Sequence, residues 1–237
     1  GKNHHTHVLC NEFYTAYFTT EHKDRLSVLD ILRGFKPRSF LLNEEFVELM
    51  SILGLAEKWI ALMRLHLYAM PLDEVQMQTL LGSLSEKTQM GETILKRIME
   101  AAAIAAYHQE EDCIALLVCD DAPQFKLLAL LLALCWIHEG RHYKKLSPIV
   151  SLHQKILKSF LEDFWNYYHQ LLEFKESPTE EMARQLRERF EELFSIQTGY
   201  DELDQRIRKT FSKSEELLQI LQHPQIPLHN NSAELGA

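Results

Sequence analysis

Cys113-Ile-Ala-Leu-Leu-Val-Cys119, followed at once by Asp120-Asp121, is the stretch on which the fold turns. Seven apolar residues in succession, without polar alternation, have the pattern of a strand buried on both faces, as in the parallel sheet of an α/β protein. In open α/β sheets ligands bind outside the carboxyl ends of the strands. The carboxylate of Asp120, at the end of a strand otherwise free of polar groups, is therefore where a metal site would be built. A second reading stands beside it: Asp120 and Asp121 cap the following turn, whose Asp121-Ala-Pro-Gln124 sequence suits one.

Downstream, a Leu-rich run leads into Ala133-Leu-Cys-Trp-Ile137, read as a further strand that turns into the polar segment His138-Glu-Gly-Arg-His-Tyr-Lys-Lys145. From Ser151 the period becomes helical. Ile156, Phe160, Phe164, Tyr168 and Leu171 share one face, and Pro178 breaks the pattern. Met182, Leu186, Phe190 and Leu193 form the next face with Gly199 as its stop, and Leu203, Ile207 and Phe211 begin a third helix expected to reach about Gln222. Helices of this length joined by short turns predict antiparallel packing. His229-Asn-Asn-Ser232, with Glu234 three residues beyond Asn231, reads as a capped helix start.

Upstream, His5 to Cys10 and Tyr14 to Thr20 are rich in β-branched and aromatic residues around a short turn, which predicts a hairpin. A short helix follows over Asp24–Arg33, closed by Gly34. From Asn43 to about Gln109 the pattern is helical. Asn43 caps a first helix with Phe46, Leu49, Met50 and Leu53 inward and Gly54 as its stop. Trp59, Ile60 and Met63 lie on a second, Pro71 opens a third that ends near Gly82, and Ser85 caps a fourth running through Ile94, Ile98 and Ala102 to Tyr107. The expected organisation is thus an α/β sheet domain, mostly helical by residue count. Residues 1–40 and 113–146 supply core strands, 41–112 and 147–224 are helical insertions, and 225–237 begin a last core helix.

Composition agrees with a folded chain. Of 237 residues, 46% are apolar and 25% charged, which rules out wholesale disorder, and eight Gly with seven Pro are too few for an all-β sandwich. Cys10, Cys113, Cys119 and Cys135 lie among apolar neighbours, the usage of reduced thiols in a cytoplasmic protein. The run Leu127–Ile137 is too short to span a bilayer, so no membrane partner is expected. The chain begins with Gly1 and stops just inside the predicted last helix, and it is expected to be an internal stretch of a longer protein.

The net charge of −9 taken whole speaks against a nucleic-acid partner. Its distribution says otherwise. Residues 41–112, with twelve acids and five bases, carry −7, and residues 161–237 carry −7 as well. Residues 122–160, beside Asp120, hold six bases and one acid, a local +5 suited to a DNA backbone.

Two His clusters invite a metal reading. Cys135, His138 and His142 have zinc-like spacing, but a convincing fourth ligand is missing and Cys135 falls on the predicted strand, so buried structural roles are preferred. His4, His5 and His7 would be split between the two faces of a strand, which favours a solvated strand end.

Three ordered strings carry a resemblance. Asp120 is followed five residues on by the aromatic Phe125; Cys135-Trp136-x-His138-x-x-Arg141 comes next; and Pro227-Leu-x-Asn-Asn-x-Ala-Glu234 closes the set, with Thr198-Gly-Tyr and Leu203-Asp-Gln-Arg-Ile207 between. Together they resemble the bacterial DDE transposases, in particular the insertion-sequence-66-like family, over essentially the whole chain. The resemblance implies an RNase H-like sheet domain that cuts and joins DNA through three acids holding two Mg²⁺ (or Mn²⁺) ions. Asp120 would be the second acid and Glu234 the third; the first belongs, in the family, on a strand before the hairpin, and no candidate for it occupies residues 1–4. DNA, as element ends and target, is the implied partner, with copies of the protein assembling on the two ends in the bacterial cytoplasm. His138, Arg141, Lys144 and Lys145 are the candidates for phosphate contact, a structural role being the alternative. A non-enzymatic helical interaction module, or an inactive remnant of an insertion element, is the competing reading.

Overall fold

The computed structural model describes residues 4–11, 13 and 15–230. The chain divides into two compact units: one built from residues up to Ala115 together with Pro123–Leu130, the other from Leu116–Ala122 and the residues from Leu131 onward. It is a mixed α/β protein, mostly helical. Among the described residues the strands pair two by two, in three separate two-stranded sheets.

In the first unit, β1 (His5–Cys10) and β2 (Thr15–Thr20) form the predicted antiparallel hairpin, with His5 opposite Thr20 and Cys10 opposite Thr15. α1 (Arg25–Leu32) starts where the Asp24 carboxylate accepts the Ser27 N–H at 2.9 Å, and it ends before Gly34, whose φ of +62° closes the helix. β3 (Phe40–Leu42) is followed by α2 (Glu44–Ile52), capped as expected by Asn43, which accepts the Phe46 N–H. α3 (Glu57–Arg64), β4 (Tyr68–Leu72), α4 (Glu74–Thr88) and α5 (Glu92–Tyr107) complete the set, with β3 and β4 antiparallel. The core gathers Phe40, Phe46, Met50, Met63, Met77, Ile98 and Ala102, all fully buried.

Two of the predicted helix starts are corrected here. Pro71 lies in β4; α4 begins after Asp73, because Asp73 and Gln76 form a reciprocal capping box that satisfies two backbone N–H groups at once. Ser85 lies inside α4, its hydroxyl donating to the Met90 carbonyl, and Gly82 does not stop that helix. The break comes instead at Gln89, in the left-handed region at φ +54°, and α5 starts after Gly91.

In the second unit, β5 (Leu116–Cys119) and β6 (Leu131–Leu134) pair in parallel, Leu116 beside Leu131 and Cys119 beside Leu134. The predicted strand over Cys113–Cys119 is only its second half. Ile114 is drawn out of it, its N–H donating to the Tyr107 hydroxyl at 2.9 Å and its carbonyl accepting from Leu130 N at 3.3 Å. Nor is β5 buried on both faces: Leu116, Leu117 and Val118 are half-buried, and β6 is its one paired neighbour among the described residues. The strand expected over Ala133–Ile137 stops at Leu134, where Cys135 becomes the cap of α6 (Trp136–Lys144), its sulfur accepting the His138 N–H.

α7 (Ser151–Glu176), α8 (Glu180–Phe194) and α9 (Asp201–Phe211) follow the predicted periods, with Pro178 in the first break. α9 does not run on to Gln222. It ends at Phe211 and gives way to a single turn, α10 (Ser214–Leu217), and a 3₁₀ turn at Gln219–Leu221.

Trp136 pins this unit. It is fully buried, with the rings of Phe164, Tyr167, Phe190 and Phe194 at 5.4–6.4 Å, and its indole N–H donates to the Leu217 carbonyl at 3.0 Å. One turn on, α6 approaches α7 so closely that a Cβ on Gly140 would stand 2.8 Å from two Trp165 ring atoms. Among the described residues no helix is long and apolar enough to cross a membrane.

Candidate functional site

The site is assembled at the carboxyl end of β5. Backbone pairing carries one residue past the two strands, since Cys135 N–H donates to the Cys119 carbonyl at 2.9 Å, and Asp120 comes next in the chain. Asp120 is half-buried. Its Oδ1 accepts the Ala122 N–H at 3.1 Å, so the turn-capping reading is realised, while Oδ2 accepts no hydrogen bond from the described residues.

Asp121 has a different partner. Its Oδ2 lies 2.7 Å from the Lys213 ammonium, and the same ammonium lies 3.2 Å from Glu139 Oε2. Glu139, on α6, is 2% exposed and receives three donors: Lys213, the guanidinium of Arg206 and the Thr210 hydroxyl, the last at 2.5 Å. Tyr143 hydrogen-bonds the Thr210 hydroxyl in turn. Burial would raise the carboxyl pKa of Glu139, but the Thr210 hydrogen bond and the charges of Arg206 and Lys213 overcome it and hold the group below its ordinary range. Burial pushes the Tyr143 phenol up, so it stays a neutral donor.

No motif or spacing in the sequence joins Asp121 to Glu139, Thr210 and Lys213. Arg206 does lie inside the Leu203–Ile207 string. Glu139 is the single acid in the basic stretch 122–160, a local exception that could have marked it as paired.

The other candidate residues lie on α6 or just beyond it. His138 and His142 pack edge to face with ring centres 5.1 Å apart. Burial and the nearby Arg206 charge lower the His142 pKa, which favours its neutral form. Cys135 is buried with its sulfur turned to the His138 N–H, and no group of three His, Cys, Asp or Glu with metal-holding geometry occurs among the described residues. Arg141, Lys144 and Lys145 are exposed, and the Lys144 ammonium sits 4.8 Å over the Trp165 ring.

Glu234 lies outside the described residues. The chain leading to it does not. Trp136 N–H donates to the Leu228 carbonyl at 2.9 Å, and Lys175 Nζ donates to the Ile226 carbonyl at 2.5 Å. Adjacent residues, Cys135 and Trp136, therefore bond on one side to the strand carrying Asp120 and on the other to the segment that precedes Glu234.

No family model matches the chain, and no solved structure matches it. Over 232 residues it is 28% identical to a curated protein of Sinorhizobium fredii (strain NBRC 101917 / NGR234) named uncharacterized protein y4jO, a similarity that covers 97% of this chain and 71% of that protein.

Proposed function

We propose that the chain forms the catalytic core of a DDE transposase with an RNase H-like fold, which cleaves and joins DNA phosphodiesters with Asp120 and Glu234 as two of its three acids. The observation that carries the reading is the pair of backbone bonds at Cys135 and Trp136. They bring the strand end bearing Asp120 beside Leu228, in the segment that leads along the sequence to Glu234. The parallel β5–β6 pair is the part of an RNase H-like sheet that the reading uses, with its first acid expected before the β1–β2 hairpin.

The donor chemistry fits Mg²⁺ or Mn²⁺. Asp120 offers a carboxylate oxygen with no hydrogen bond among the described residues, and hard divalent ions are held by a few such oxygens. Asp120 and Glu234 would be the holding residues in this chain. A pair of such ions, when bound, activates the attacking oxygen and steadies the leaving one. The chain's own side chains do the rest. Asp120 presents its carboxylate beside the turn at Ala122, and Arg141, Lys144 and Lys145 offer exposed charge to DNA phosphates, with His138 and His142 on the same helix. The partners are the element's two ends and a target duplex, joined by an assembly of copies in the cytoplasm.

The test is strand cleavage by the full-length protein on its own element ends with Mg²⁺ or Mn²⁺. Asp120→Asn keeps an oxygen for the Ala122 N–H but removes the charge. That variant and Glu234→Gln should fold as wild type and lose cleavage. Normal cleavage by either refutes the reading; absence of any metal-dependent cleavage in the wild type favours the non-enzymatic helical module.

A further inference from the structure

We propose that Lys213 is a positioning residue for the metal-holding carboxylate: by tying Asp121 to the buried Glu139 it fixes the strand end so that Asp120 alone is presented. The proposal rests on the DDE reading and extends it to a residue that none of the three motifs contains.

Two neighbouring carboxylates at a strand end can compete for the same cation or swing together under mutual repulsion. Here one of the two is committed. Asp121 is held at 2.7 Å by an ammonium whose side chain is only 14% exposed. Lys213 is itself fixed at both ends. Its backbone N–H donates to the Thr210 carbonyl and its carbonyl accepts from Leu217, so it sits rigidly between α9 and α10. At the far side, its ammonium meets Glu139, which is anchored by Arg206 and Thr210. Asp121, Glu139, Lys213 and Arg206 balance in charge. The chain of contacts runs from the helices to the residue next to Asp120, which is how the supports of metal-holding side chains usually act.

Electrostatics alone and positioning predict opposite signs. Removing a cation close to a metal site should tighten the binding of a divalent ion if Lys213 acts only through its charge. If Lys213 orients Asp120 through Asp121, its removal should loosen binding by about 10–100-fold, the usual effect of losing such a support. Calorimetric titration of Mn²⁺ into the full-length protein reads this without catalysis. Lys213→Met should show the 10–100-fold loss, the Mg²⁺ concentration for half-maximal cleavage should rise by a similar factor, and Lys213→Arg should recover most of both. Lys213→Gln, which keeps an amide donor for Asp121, serves where the Met variant does not fold and should shift binding in the same direction.

Unchanged or tighter Mn²⁺ binding in the folded neutral variants overturns the proposal and leaves Lys213 a purely structural ion pair. Failure of the DDE reading looks different: wild type would bind no Mn²⁺, or Asp120→Asn would bind and cleave as wild type does.

Discussion

Replacing Gly140 by alanine sets a gain in helix propensity against a steric loss, and the distances decide the sign. Gly140 lies within α6, where alanine is favoured over glycine by about 1 kcal/mol. The added methyl would stand 2.8 Å from Trp165 Cη2 and Cζ2 and 3.0 Å from Phe164 Cε1. Carbon atoms pack best near 3.5–4.0 Å, so each contact must open by roughly 0.5–1 Å. Phe164 has nowhere to retreat. It is fully buried and touches the rings of Trp136 and Tyr143 on α6. Trp165 is half-buried but wedged between the Lys144 ammonium at 4.8 Å and the Tyr168 ring at 5.6 Å. Overpacking of this kind costs about 1–3 kcal/mol, and two obstructing rings place it in the upper part of that range. After the propensity gain, Gly140→Ala should lose about 1–2 kcal/mol. Urea unfolding followed by tryptophan fluorescence should show a lower midpoint with an unchanged slope. A variant as stable as wild type, or more so, would refute the reasoning, because it would mean that the α6–α7 approach is looser than these distances.

Two further outcomes follow from paired carboxylates. Glu139→Gln leaves Arg206 and Lys213 against a neutral amide in a site 2% exposed, which should cost about 3–5 kcal/mol at pH 7, measured as the shift in unfolding free energy. Since the folded Glu139 pKa lies below its ordinary 4.5, its contribution is whole above about pH 4.5 and lost as pH falls through the folded value; unfolding midpoints taken from pH 7 down to 3 should fall more steeply in wild type than in the variant. In the first unit, burial opposes ionisation of Asp24, but Lys96 and the N–H and hydroxyl of Ser27 bring its pKa down to about 2. Asp24→Ala removes the α1 cap and should lose about 1 kcal/mol at neutral pH, together with the acid dependence that wild type shows between about pH 4 and 2; equal thermal stability of the two proteins at pH 7 would show that the cap contributes nothing.

Local signals were legible in the sequence, and contacts between distant residues were not. Asn43 caps a helix through a residue three positions on, and Gly34 ends a helix by its own backbone; such events need only a few neighbouring residues to be known. Pro71 and Ser85 misled because each is a good helix opener by type, whereas Asp73 with Gln76 and the left-handed Gln89 decided the boundaries. The apolar run at Cys113–Cys119 gave the place of Asp120 correctly at a strand end but overstated the strand, since Tyr107 and Leu130, both outside the run, claim the Ile114 backbone. The charge network was hidden for the same reason. Glu139 and Arg206 are 67 positions apart, and no period or spacing joins them.

That hidden network bears on the choice between the adjacent acids Asp120 and Asp121. Asp121 and Glu139 meet Lys213 and Arg206, two anions with two cations. Asp120 is left without an ion-pair partner among the described residues, in the same unit as the exposed bases Arg141, Lys144 and Lys145. On a DNA-facing surface such a carboxylate would repel the phosphates that Arg141, Lys144 and Lys145 attract. The repulsion is relieved only when a divalent cation stands between carboxylate and phosphate. The same position would be a liability in a module that bound DNA without cutting it. On the DNA reading, then, the isolation of Asp120 and the containment of Asp121 are one feature, and they favour a metal-holding acid over a turn cap alone.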